Sequence, residues 1–89
     1  MQFEWSKEKA QANATKHGVT FLEARTVFGD PLSSTTPDPE HSLDEARFLI
    51  FGRSVTGRAL VVSFTERGES IRLISARSMT PREIRAYEQ

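Results

Sequence analysis

The chain opens on Gln2-Phe3-Glu4-Trp5, where polar and apolar residues alternate with the two-residue period of a strand. Ser6 then offers an oxygen to cap a helix, strong helix formers run from Lys7, and His17-Gly18 closes them, because glycine accepts the left-handed backbone that ends a helix. The pattern predicts a helix over residues 7–17. Thr20-Phe21-Leu22-Glu23 reads as a capping box, in which the Thr oxygen and the Glu carboxylate each satisfy an orphan amide. Phe21, Ala24, Val27 and Phe28 follow at helical spacing, and Gly29-Asp30-Pro31 stops this second helix.

Residues 33–45 are polar and interrupted by Pro37 and Pro39, so they form a surface connection with a short extended piece around Leu32 to Thr36. Three apolar runs come next, Arg47 to Gly52, Ala59 to Thr65 and Ile71 to Ala76, with short glycine-containing breaks between them. Such spacing predicts an antiparallel meander. Thr80-Pro81-Arg82-Glu83 combines a second capping box with proline in the first helical turn and opens a closing helix. The predicted class is α+β: a short N-terminal strand, two helices, a three- to four-stranded antiparallel sheet and a C-terminal helix. Helices gathered on one sheet face would leave the other partly open to a ligand.

Length and composition narrow the possibilities. Eighty-nine residues make a single domain. With 0 Cys there is no disulfide framework, no thiolate nucleophile and no Cys-ligated zinc, and the cytosol is the natural compartment. No apolar run approaches the roughly 18 residues of a membrane span, and the amino terminus lacks the layout of a signal peptide, so a cytoplasmic chain with no membrane contact is expected. The net charge of zero conceals a division. Residues 1–45 carry 4 basic and 8 acidic side chains, whereas residues 46–89 carry 8 arginines against 4 glutamates. A basic half made wholly of arginine suggests recognition of anions, since the planar guanidinium fork matches phosphate and carboxylate.

Over essentially its full length the chain resembles the BrnT family of type II toxin–antitoxin toxins, bacterial ribonucleases with a RelE-like fold. The likeness rests on Phe3-Glu4-Trp5, on Asn13 with Lys16-His17-Gly18-Val19 and Phe21, and on Val27-Phe28 with Asp30-Pro31-Leu32. It continues through Arg47, Gly52-Arg53-Ser54, Thr65-Glu66-Arg67-Gly68, the run Ile71-Arg72-Leu73-Ile74-Ser75-Ala76-Arg77, and Glu83 with Tyr87. Ser6 stands where the family usually has Asp, and both residues cap a helix. The resemblance implies one toxin domain over residues 1–89 that cleaves RNA, inhibits translation and is neutralised by a BrnA-like antitoxin. It also implies that operator DNA is reached only through the antitoxin complex.

A ribonuclease working without metal must activate a ribose 2′-hydroxyl, neutralise the growing phosphorane charge and protonate the leaving oxygen. Arg72, Arg77, Glu66, His17 and Tyr87 are the candidates for those roles, and Lys16, Arg67, Arg53 and Trp5 are the candidates for holding RNA. Each has a plainer reading. Arg72 and Arg77 could pair with Glu69 or Glu83, Arg67 could be a solvated turn residue, and Glu66 could pin a neighbouring arginine instead of acting as a base. His17 suits the negative end of a helix dipole, and Tyr87 could plug the core beside Ile84. Phe3, Phe21, Phe28, Phe48, Phe51 and Phe64 read as core, with Trp5 as the aromatic best placed to meet a base. Two distant histidines and no cysteine predict neither a metal site nor a cofactor.

Arg72 and Arg77 stand at opposite parity in the last apolar run, so a regular strand would direct them to opposite faces. Ile71, Leu73 and Ser75 would face the helices and Arg72, Ile74 and Ala76 the other side, unless a bulge intervenes. The same arginines would also serve a non-catalytic nucleic-acid-binding module, an operon co-repressor subunit, or a structural partner of an acidic protein.

Overall fold

The computed structural model describes residues 1–88. Its elements in chain order are β1 (Gln2–Glu4), α1 (Lys7–His17), α2 (Phe21–Ala24) continuing as a 3-10 turn (Arg25–Gly29), and β2 (Ser34–Pro37). A second 3-10 turn (Pro39–His41) precedes β3 (Arg47–Arg53), β4 (Ala59–Arg67), β5 (Ser70–Ser78) and α3 (Pro81–Tyr87). Both ends of α1 fall where the capping signals put them: Ser6 accepts the Lys9 amide, and Gly18 adopts φ 68°. The box at Thr20 is half made. Thr20 accepts the Glu23 amide, but the Glu23 carboxylate instead takes Ser54, Thr56 and Arg58, tying α2 to the β3–β4 turn.

The architecture is α+β, as predicted, but the sheet is larger and mixed. Five strands run in the order β1-β5-β4-β3-β2. Strands β2 to β5 are antiparallel neighbours, whereas β1 lies parallel to β5, pairing Gln2 with Ser70, Phe3 with Ile71 and Glu4 with Arg72. A parallel partner at the far end of the chain leaves no local spacing to betray it.

Helices α1 and α2 cover one face, where Val19, Phe21, Ala24 and Val27 bury against Ile50, Leu60, Val62, Phe64, Leu73 and Ala76. Phe28 sits edge-to-face between Phe3 and Phe64, with ring centroids 5.1 and 5.0 Å away. Gly52 allows the chain after α2 to press on β3, since a Cβ there would lie 3.0 Å from both Asp30 and Val27. Helix α3 buries no residue and is tied down by polar contacts instead. Among the described residues no helix is long and apolar enough to cross a membrane.

Strand β5 carries a bulge. Phe64 pairs with Leu73 and Ser63 with Ser75, so Ile74 is an extra residue without a partner on β4. Beyond it the alternation is inverted, and Ala76 joins Ile71 and Leu73 under the helices while Ser75 turns to the other face. Regular alternation, which put Ala76 outward and Ser75 inward, is corrected by that one residue. Asn13 secures the inverted half. Its carboxamide accepts the Ala76 amide and donates to the Ala76 and Val19 carbonyls, each at 2.9 Å, and the side chain is buried. Asn13→Ala would strand these backbone groups without partners, and we expect a loss of about 2–4 kcal/mol, read as a lower urea midpoint at unchanged slope.

Candidate functional site

The bulge decides where the charge goes. With the alternation inverted after Ile74, Arg72 and Arg77 share the sheet face opposite α1 and α2. Register then adds a third arginine, because Arg47 pairs with Thr65, and Thr65 pairs with Arg72. Glu4, Arg72, Thr65 and Arg47 thus form one row across four strands. A second row holds Ser75, Ser63, Leu49 and Thr36, and a third holds Arg77, Val61, Phe51 and Ser34. With strands about 4.8 Å apart and a rise of about 3.3 Å per residue, the backbones of Arg47 and Arg72 lie roughly 10 Å apart and those of Arg72 and Arg77 roughly 15 Å. The arginines therefore frame a patch of small and apolar side chains.

These arginines differ in how far they are neutralised. Arg77 holds Glu83 with two hydrogen bonds, Nη1 to Oε1 at 2.8 Å and Nη2 to Oε2 at 3.0 Å, and Nη1 also reaches the Ser78 carbonyl at 3.2 Å. This fork fixes the guanidinium plane and leaves Nε–H and the second Nη2–H for another oxygen ligand. Hydrogen bonds from Arg77 draw the Glu83 carboxyl down to about 2, and the same contact raises Arg77. Arg72 meets Glu4 at a looser 3.8 Å. Arg47 makes no ion pair among the described residues. Its place at the head of the first apolar run was visible in the sequence, but its alignment with Arg72 follows from register alone.

The remaining predicted residues scatter. Glu66 pairs with Ile71, which packs with Phe3 against the core, so Glu66 lies on the helix-covered face away from the arginines. Lys16 and His17 are exposed at the end of α1, on that same side. Trp5 is part of the core margin, edge-on to Phe21 at 5.9 Å. Arg67 points to the arginine face at its edge and contacts Glu45 at 3.5 Å. Arg53 binds Glu88 at 2.5 Å and the Gly57 carbonyl at 2.9 Å, so its charge is largely engaged.

Tyr87 lies on α3, one helical turn beyond Glu83, the partner of Arg77. Its hydroxyl donates to the Asp30 carboxylate, which also accepts the Arg53 and Leu32 amides. The bond to Asp30, with burial behind it, raises the Tyr87 phenol above its ordinary value, so at neutral pH it stays protonated and anchored. Phe51 departs from the phenylalanine core: it lies in the row of Arg77, on the sheet face opposite Phe28, Phe48 and Phe64. Among the described residues no three His, Asp or Glu side chains cluster as metal ligands would.

The sequence profile described as "Ribonuclease toxin, BrnT, of type II toxin-antitoxin system" matches residues 5–83. The chain belongs to the BrnT family. Its fold is similar to that of the Brucella abortus ribonuclease toxin BrnT, known from a crystal structure at 1.1 Å resolution. The two chains are 25% identical, the match covers 90% of this chain and 97% of that one, and the TM-score is 0.71. No curated protein matches. Ribonuclease toxin is thus the class of this BrnT chain, and the arginine face is where the fold concentrates groups suited to phosphate.

The Arg77–Glu83 fork also makes a pH prediction. A carboxylate depressed from 4.5 to about 2 adds stability that is complete above its ordinary value and is lost as pH falls through about 2. An NMR titration should find Glu83 ionising near 2, with amide protection in α3 falling between those two values. Ionisation at the ordinary carboxylate value would show the fork broken in solution.

Proposed function

We propose that this BrnT-family chain is a metal-independent endoribonuclease that cuts RNA by attack of a ribose 2′-hydroxyl on the adjacent phosphodiester. The observation that carries the proposal is the convergence of Arg47, Arg72 and Arg77 on one sheet face through the β5 bulge. Guanidinium donors held around a phosphate stabilise the charge that grows on its oxygens as the phosphorane forms. Of the carboxylates on that face, Glu83 is bonded twice by Arg77 and held to about 2, which makes it a poor base. Glu4, with its single 3.8 Å contact to Arg72, is the carboxylate we assign to accept the 2′-hydroxyl proton. The cell-level reading follows the family: RNA cleavage in the cytoplasm inhibits translation, a BrnA-like antitoxin binds the arginine face and neutralises the toxin, and operator DNA is contacted through that complex.

RNA incubated with the chain in excess chelator should be cut and carry a 2′,3′-cyclic phosphate, and a 2′-deoxy residue at the scissile position should abolish the cut. Retarded but intact RNA would instead identify a non-catalytic binder. Arg47→Ala and Arg72→Ala should each lower kcat by about 100-fold or more while changing stability by only about 0.5 kcal/mol, since Arg72 is loosely paired and Arg47 makes no ion pair among the described residues. A variant that melts far below the parent yet cleaves normally per folded molecule would mark that arginine as structural. Glu4→Gln should lower kcat while leaving RNA affinity nearly unchanged.

A further inference from the structure

Helix α3 borders the arginine face, where its Glu83 holds Arg77. Between it and strands β2 and β3 is a cavity of about 560 Å³ lined by Leu32, Ser34, Phe51, Arg82, Glu83, Ala86 and Tyr87. That volume is within the range of about 300–1,000 Å³ typical of small-ligand pockets. We propose that this cavity is a nucleoside subsite, holding the base of one nucleotide next to the phosphate bound by Arg77. The proposal rests on the RNA-binding reading of the arginine face and adds to it a place where a base is held.

Four observations support it. Glu83 is shared, lining the cavity and holding Arg77 at 2.8 Å, so a strand whose phosphate reaches Arg77 has its neighbouring nucleoside at the cavity mouth. Phe51 is half-buried and stands apart from the aromatic core, an aromatic surface in the row of Arg77. Tyr87 is fixed by Asp30 through its hydroxyl, which leaves its ring as a second aromatic wall. The Ser34 hydroxyl and the Arg82 guanidinium have no hydrogen-bond partner among the described residues, so both can bond base edges or ribose. A cavity with aromatic walls, unengaged polar groups and an adjacent cation fits a nucleoside better than a purely apolar ligand.

The test uses binding, so that it does not depend on catalysis. A short fluorescent 2′-fluoro RNA, which cannot undergo 2′-hydroxyl attack, is titrated with the full chain beside a series bearing one abasic nucleotide at each position in turn. Removing one particular base should weaken binding about fivefold to a hundredfold, the measured range for a base stacked on an aromatic side chain. Phe51→Ala, and Phe51→Leu where the smaller residue unsettles the sheet, should bind the intact and abasic strands equally. Ser34→Ala should lower the preference among the four bases without altering the melting temperature. Equal binding of every abasic strand by the parent chain overturns the subsite, as does an unchanged abasic penalty in both Phe51 variants. Cleavage of ordinary RNA is scored separately. Cutting without any base penalty removes the subsite and keeps the ribonuclease reading, whereas a base penalty without cutting does the reverse.

Discussion

Past Arg72, no strand among the described residues pairs with the outer side of β5, and Asn13 takes that place. Its carboxamide pairs with both backbone groups of Ala76 as a neighbouring peptide would, and its second N–H closes on the Val19 carbonyl. The bulge at Ile74 is tolerable because this bridge holds the strand after the extra residue in a single orientation. Without the bulge, Ala76 would turn out of the core and Arg77 into it, an unpaired charge under apolar helices. The core packing of α1 and the placement of an outward arginine are thus set by the same three hydrogen bonds.

Charge is distributed by the same geometry. The acidic first half and the all-arginine second half meet across the sheet: Glu4 reaches Arg72, Glu23 reaches Arg58, and Glu45 reaches Arg67. Such pairs on a wet surface contribute little stability each, and their consequence is to grade the arginines. Arg53 and Arg77 are held in close pairs, Arg72 loosely, and Arg47 in none among the described residues. A polyanion arriving at this face would meet the least neutralised cations along one row, with Arg77 oriented at the far end.

Helix α3 completes the face although it buries nothing of its own. Glu83 serves both its capping box, through the Thr80 amide, and the fork to Arg77. Tyr87 ties the helix end to Asp30, and Asp30 in turn caps the end of β3 through the Arg53 amide. Because Gly52 lets the Asp30 turn approach so closely, one small residue in β3 influences where a tyrosine from the end of the chain comes to rest.

What the sequence determined by itself were the features whose physics is local. Ser6, Gly18 and Thr80 mark helix ends because capping acts within one turn, and the three apolar runs are strands because alternation is read between next neighbours. The membership of the arginines in one site was not local. It required an extra residue in β5, which alternation cannot announce, and a hydrogen bond between Asn13 and Ala76, separated by 63 positions. The same limit hid the parallel pairing of β1, the alignment of Arg47 with Arg72, and the exile of Glu66 to the far face. Tertiary structure alone decided these, because the face a side chain takes depends on the register of the strand beside it, and register is set by packing and hydrogen bonds between segments remote in sequence.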